Sequence, residues 1–312
     1  MSTETDTLDL EDGASRSLEE RVIETLLFIS AVISVFVTLG IIYTLTADAI
    51  GFFRDVSPLT FLLGSEWSPA IEPNQFGVLP LVTGTLLVTV LSALIAIPVG
   101  LAAAIYLSEY ASSRIRSVIK PALEVLAGIP TVVYGYFGLV YITPVLDSVG
   151  LNVGTFNVLS ASIMVGVMII PMVSSLSEDA MSAVPDELRQ AGYGLGATKF
   201  EVSTGVVVPA AASGIFSAFI LALSRAIGET MIVAVAMGQR SRMFSFESFP
   251  GILLESGQTM TAAMVQLGTS DVSAGTTAYS ALFAIGLTLF VITFLMNLTA
   301  EWVASRYQEE YR

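Results

Sequence analysis

Two ionisable residues stand inside an otherwise apolar stretch, Arg225 and Glu229 in LALSRAIGETMIVAVAMG, 221 to 238. A spacing of four puts both on one helix face. A charge at the bilayer centre costs roughly 2.5–3.5 kcal/mol on insertion scales, so such residues face a cavity or a partner. Two readings follow. In one, each charge neutralises the other and the pair locks the helix. In the other, Arg225 is a planar, permanently charged group suited to holding a tetrahedral oxyanion through paired hydrogen bonds. Ser224 and Thr230 would add hydroxyl donors, and Gly228 would give access to the backbone. Arg before Glu is the less favourable order on a helix, and a pair needed only for packing could be replaced by leucine. Both points favour the substrate site.

Composition removes most other chemistry. The chain has no His and no Cys, hence no usual metal ligand, no usual neutral-pH proton carrier and no disulfide. GxxxxGK[ST] is absent, so any ATP must be brought by another subunit. No bound cofactor or metal is expected, and an intramembrane enzyme lacks the residues it would need. Of 312 residues, 54% are hydrophobic and 13% charged, with a mean hydropathy of +0.78. Soluble domains carry about 25% charged residues, so an all-α integral membrane protein is expected. At about 20 residues per span, there is room for six spans and no large soluble domain. The net charge of −14 makes nucleic-acid binding through a basic surface an unlikely role. Two lysines against eleven arginines resemble the usage of salt-loving microbes, although an acidic tail on a membrane core would give the same balance. A halophilic archaeon is the expected source.

The elements that must position Arg225 and Glu229 can be laid out along the chain. Residues 1–20 hold seven acids and one arginine and read as a disordered cytoplasmic tail ahead of a transmembrane domain, 21–312. Span 1 is Val22 to Leu45. An external segment, 47 to 76, follows, with Phe52, Phe53, Phe61 and Trp67 suited to the membrane interface. Span 2, Leu79 to Leu107, should kink at Pro98. A loop with Arg114, Arg116 and Lys120 leads to span 3, Ala122 to Val145, made bendable by Gly128, Pro130 and Gly135. Kinked helices at mid-depth line transport paths, though a packing role would explain Pro130 equally well. Spans 4, 5 and 6 are Phe156 to Leu176, Ala210 to Gly238, and Thr276 to Leu298, with an external segment at 239–275. Placing both termini in the cytoplasm leaves nine Lys and Arg inside and three outside, as the positive-inside rule requires.

Between spans 4 and 5 lies PDELRQAGYGLGATKFEVSTGVVVP, 185–209. Pro185, Asp186 and Glu187 form a helix start. Gly192 and Gly196, four apart, are expected to share a face that another protein's surface approaches closely. Thr198 and Glu201 form a capping box for a second short helix running toward Pro209. The spacing Gln190-Ala191-Gly192, three residues, Gly196, nine residues, Val206-x-Val208-Pro209 resembles the EAA loop of ABC-importer permeases. That loop seats on the ATPase subunit. Here Gln190 replaces its glutamate, and Gly192, Val206 and Val208 replace Ala, Ile and Leu. The resemblance implies the type I importer permease fold, with 185–209 as a cytoplasmic coupling helix pair. It also implies that Glu187, Gln190, Ala191, Gly192, Gly196, Ala197 and Pro209 meet the ATPase.

SRAIGETM, GIPTVVYGYFGL and IIPMVSSLSEDAM together resemble the PstC-type permease of phosphate importers, from about residue 58 onward. That resemblance implies a phosphate path through Arg225 and Glu229, with a PstA-type second permease. The other implied partners are two PstB-type ATPases carrying ATP and Mg, an extracellular PstS-type binding protein, and membrane lipid. The location would be the cell membrane of a prokaryote. Sulfate, molybdate or phosphonate are rival substrates, and a proton-coupled secondary transporter using Glu229 is a rival class.

Overall fold

The computed structural model describes residues 10–245, 249–270, 272–273 and 275–306. Residues 1–9 of the expected tail, with Glu247, Asp271 and Arg312, lie outside them. The described chain is a helical bundle with a single two-stranded hairpin. Apolar helices satisfy their own backbone, the one open-ended solution available in hydrocarbon. Several of their hydroxyls are satisfied in the same way: Thr85, Thr89 and Ser162 each donate to the carbonyl four residues back.

The first helix, α1, runs Leu10–Asp55, so residues 10–20 and 47–55 are helical. Leu, Glu, Ala and Arg are good helix formers, and acids near a helix N-terminus meet the positive end of its dipole. A short helix α2, Pro58–Leu63, and the antiparallel pair β1, Trp67–Ser68, and β2, Gln75–Phe76, follow. Phe52, Phe61 and Trp67, expected to be exposed as interfacial anchors, are buried within the protein. Their rings meet edge to face, Phe52 and Phe61 at 5.3 Å between centroids. They pack on Leu81, Met260 and Ile285, where contact between rings outweighs half-exposure at an interface.

Helix α3, Leu79–Ile105, continues into a π-helical turn, Tyr106–Tyr110, and passes through Pro98 without a break. The segment expected to be a basic loop is helical: α4 spans Ser113–Gly128 and carries Arg114, Arg116 and Lys120. Span 3 is broken rather than bent. Ile129 is extended, because the ring of Pro130 disfavours helix at the residue before it. Helix α5, Thr131–Phe137, then continues through a π turn, Gly138–Ile142, into α6, Thr143–Ser148, at 89° to α4. Buried Asn157 starts α7, Val158–Ser182, by accepting from Ser160 N at 2.7 Å.

The corner between α7 and the next span consists of α8, Asp186–Gly194, α9, Lys199–Val202, a π turn, Ser203–Val207, and α10, Val208–Ala210. Span 5 is also broken. Helix α11, Ala212–Ile227, stops at Gly228, and α12, Met231–Ala236, restarts after Thr230. The expected second external loop holds α13, Gly251–Leu254, and α14, Met260–Thr269, most of whose first eight residues are buried. Ten residues are too few to span, so α14 packs into the bundle instead. The last helix is α15, Thr277–Arg306. Among the described residues, four helices are long and apolar enough to cross a membrane, and up to six spans result if each of two bent pairs counts as one.

Helices α3 and α7 form the centre. A β-carbon on Gly100 of α3 would lie 2.7 Å from Val173 Cβ on α7, closer than packed atoms sit. Gly84 is similarly pressed against the backbone carbonyl of Gln258, just before α14. Gly84→Ala should therefore lower stability by about 1–3 kcal/mol through overpacking against backbone. Gly128→Ala, with open space around it, should be neutral or slightly stabilising. Thermal unfolding in detergent checks the pair.

Candidate functional site

Arg225 faces α7 and both halves of the first broken span, α4 and α5. It lies in the last turn of α11, where a cation meets the negative end of the helix dipole. Its side chain is 46% exposed and opens into a groove of about 300 Å³. Leu123 and Glu124 of α4, the break residue Ile129, Thr131 of α5, and Met172 and Ser175 of α7 line it. The α4–α5 break therefore forms part of the groove wall. Tyr134 holds that break closed, donating its hydroxyl to the Leu126 carbonyl at 2.7 Å.

Glu229 does not share a helix face with Arg225, because α11 ends between them. Their order on a helix therefore carries no argument. Glu229 sits in the break, 2% exposed, 3.7 Å from Arg225 Nη1 through Oε2. Its Oε1 accepts from Met231 N at 3.0 Å and Ile232 N at 3.1 Å, so the carboxylate caps α12. Its carbonyl accepts from Thr261 of α14 at 2.7 Å. One carboxylate thus balances the guanidinium and starts the next helix. The two expected hydroxyl donors are already engaged. Ser224 donates to Asn297 Oδ1 of α15 at 2.7 Å, and Thr230 to Gly228 O at 3.2 Å. Asn297 was missed; its only signal is a lone amide in an apolar run.

The expected coupling residues gather at one corner, but not as their spacing suggested. Gly192 faces inward, where a β-carbon would lie 2.9 Å from Val202 Cγ2, so its smallness seats α8 on α9. Gly196 stands in open space with φ +82°, a left-handed turn that glycine adopts without strain. The close approach expected of the two glycines is internal for one, and for the other is a matter of backbone conformation. Glu187, Gln190 and Ala191 are exposed and Ala197 is half-buried. Leu195 is 91% exposed and Phe200 67%, an apolar surface the spacing argument overlooked. Pro209 lies in α10, just before a 70° bend into α11. The capping box is present: Glu201 Oε2 accepts from Thr198 N at 2.7 Å and Thr198 Oγ1 at 2.8 Å. The backbone bond and then the hydroxyl bond hold the Glu201 carboxyl below its usual pKa. The cap is therefore at full strength above the ordinary carboxylate range and weakens as pH falls through the lowered value.

A further ionic cluster joins α4 to α7. Glu178 is 1% exposed and pairs with Arg116 and with Lys120, the latter at 2.7 Å. Lys120 also reaches Asp179 at 3.0 Å. Arg116, Lys120 and Glu124 follow one another at four-residue steps on α4, so this face leads from Glu178 to the Arg225 groove. Removing both cations leaves a buried carboxylate unpaired. Arg116→Ala with Lys120→Ala should cost about 3–5 kcal/mol, and adding Glu178→Gln should recover part of it. Unfolding midpoints of the double and triple variants in detergent test this.

Comparison with known proteins follows this geometry. Residues 96–309 match the family described as "Binding-protein-dependent transport system inner membrane component". The chain is 36% identical over 251 residues to "Probable ABC transporter permease protein YqgH" of Bacillus subtilis, covering 80% of this chain and 79% of that one. It is 34% identical to "Phosphate transport system permease protein PstC" of Mesorhizobium japonicum, covering 79% and 78%, and 33% identical to the protein of that name from Haemophilus influenzae, covering 80% and 82%. These relatives are bacterial and lend no support to a halophilic archaeal source. In fold, it resembles a bacterial ABC transporter involved in import of alginate, with a TM-score of 0.65, 15% identity, and 94% and 100% coverage. It also resembles the MetNI methionine ABC transporter, with a TM-score of 0.53, 17% identity, and 75% and 95% coverage. The chain belongs to the binding-protein-dependent transport system inner membrane components, the permease subunits of ABC importers.

Proposed function

We propose that this permease carries inorganic phosphate, with Arg225 as the group that meets the anion. The observation that carries the reading is a half-exposed guanidinium in an open groove walled by α7 and the broken α4–α5 span, balanced by one buried carboxylate. Arginine suits a tetrahedral oxyanion because its fork donates two parallel hydrogen bonds. The relatives named for phosphate transport support the choice of anion. Glu229 would hold Arg225 while the groove is empty and keep the anion from being trapped. Arg225 and Glu229 sum to zero charge, so a second, PstA-type permease would supply at least one more cation across the interface.

Both termini would lie in the cytoplasm, which places the α8–α9 corner on the ATP side of the cell membrane. Two PstB-type ATPases, holding ATP and Mg, would seat on Leu195, Phe200 and the exposed residues Glu187, Gln190 and Ala191. An extracellular PstS-type protein would deliver the anion to the opposite face. Closure of the ATPases would then reorient the bundle about the groove, which is alternating access. The chain itself breaks no bond.

Arg225→Ala should reduce labelled phosphate uptake about 10- to 100-fold, the equivalent of roughly 1.5–3 kcal/mol for bonds to a charged group. Arg225→Lys should fail nearly as badly, since the fork is lost. Glu229→Gln keeps an acceptor for α12 and should slow release more than entry. Uptake at parental rate in Arg225→Ala sinks the assignment, and stronger competition by sulfate or molybdate than by phosphate changes the anion.

At the docking corner, Leu195→Asp and Phe200→Asp alter exposed side chains, so the fold should change by no more than about 0.5 kcal/mol. The ATPase should nevertheless no longer co-purify. Normal co-purification of both variants would remove this surface from the interface.

A further inference from the structure

Arg189 lies away from the groove and away from the exposed docking surface, yet its guanidinium has four partners. Nη1 donates to Val184 O at 2.6 Å and Asp186 Oδ1 at 3.2 Å. Nη2 donates to Met181 O at 2.8 Å and Glu109 Oε1 at 3.2 Å. Met181 lies in the last turn of α7 and Val184 just past its end, where the helix dipole is negative. Glu109 belongs to the π turn that prolongs α3, and Ser108 also donates to its Oε1. One residue further, the Tyr110 ring lies 5.1 Å beneath Lys199 Nζ of α9. A single planar cation on α8 thus binds the ends of α3 and α7 at once, and α9 touches the same turn.

Capping α7 alone would not need Glu109. Two carbonyls and Asp186 would hold the guanidinium, and Glu109 could be apolar. Instead a carboxylate is buried to 4% exposure beside an arginine 16% exposed. Such a pair is costly to desolvate and costly to break. It makes the attachment of α8 to α3 stiff and directional, because the guanidinium plane fixes where each acceptor must lie. Helices α3 and α7 are themselves locked at Gly100 and Val173, so whatever moves α8 moves that pair as a body. From α7 the linkage continues through Glu178 to α4 and the wall of the Arg225 groove.

We infer that Arg189, with Glu109, is the joint that transmits movement of the α8–α9 corner into the α3–α7 pair. It is a positioning residue for transport, acting on the groove through the helices it holds. The inference rests on the importer role of the family and not on which anion is carried.

The test uses the assembled importer in proteoliposomes, with companion permease, ATPases and binding protein, and reads import and ATP hydrolysis together. Arg189→Lys and Glu109→Gln should assemble and hydrolyse ATP while import per ATP falls by about tenfold or more, the size of one charged contact. Glu109→Gln with a parental ratio would show that Arg189 only caps α7 and would overturn the joint. The native chain has no cysteine, so Glu109→Cys with Arg189→Cys, bridged by a short bismaleimide, serves if the single variants fail to assemble. Bridging should raise import per ATP above that of the unbridged pair; no gain overturns the inference. Parental vesicles supplied with labelled phosphate on the binding-protein side are the reference, and a wrong choice of anion appears there as absent parental import.

Discussion

Hydrocarbon offers no hydrogen-bond partner, so every backbone group and charge within the bundle must find one inside the protein. Unbroken helices meet this rule by themselves. The four long spans need little more than apolar side chains and hydroxyls turned back on the preceding turn. Breaks do not meet it, because each exposes orphan N–H and C=O groups on both sides. Polar side chains answer those groups.

At the α4–α5 break, Tyr134 satisfies a terminal carbonyl of α4. At the α11–α12 break, Glu229 satisfies two N–H groups and Thr261 satisfies the Glu229 carbonyl. At the end of α7, Arg189 satisfies two carbonyls. Each device also does something a simple cap would not. Tyr134 sets the wall of a groove, Glu229 sets the charge of Arg225, and Arg189 ties a surface corner to the core. Broken helices are local weaknesses that can be given alternative partners, and a transporter that changes shape needs elements of that kind.

The charges are arranged to the same end. Glu178, Glu109 and Glu229 are all nearly inaccessible, and each faces a cation that keeps partial access to the surface. Burying the carboxylate and leaving the cation at the rim lets the long Lys or Arg stem cover apolar surface while its head stays hydrated. Two of these pairs join elements distant in the chain. The third joins residues four apart in the chain, Glu229 lying in the three-residue break between α11 and α12.

Local rules decided what the sequence could determine alone. Apolar length set the membrane class and located the four long helices, though not the breaks that divide the rest. Thr198 and Glu201 sit three apart, and the capping box they announce is present. Pro130 marks a discontinuity because a proline ring acts on the residue beside it. The spacing of 185–209 identified the family. Tertiary structure decided the rest, because the determinants lie far apart. Glu109 and Arg189 are 80 residues apart, and no periodicity connects them. Whether Phe52 and Phe61 face lipid or each other depends on Leu81, Met260 and Ile285. Gly192 has the composition of a docking residue but faces Val202, because a helix face is defined only by what packs on it. Arg225 and Glu229 were legible as a pair, yet not as a pair across a break. A carboxylate that takes the N–H groups of the following turn ends one helix and begins another, and the apolar pattern on either side reads the same.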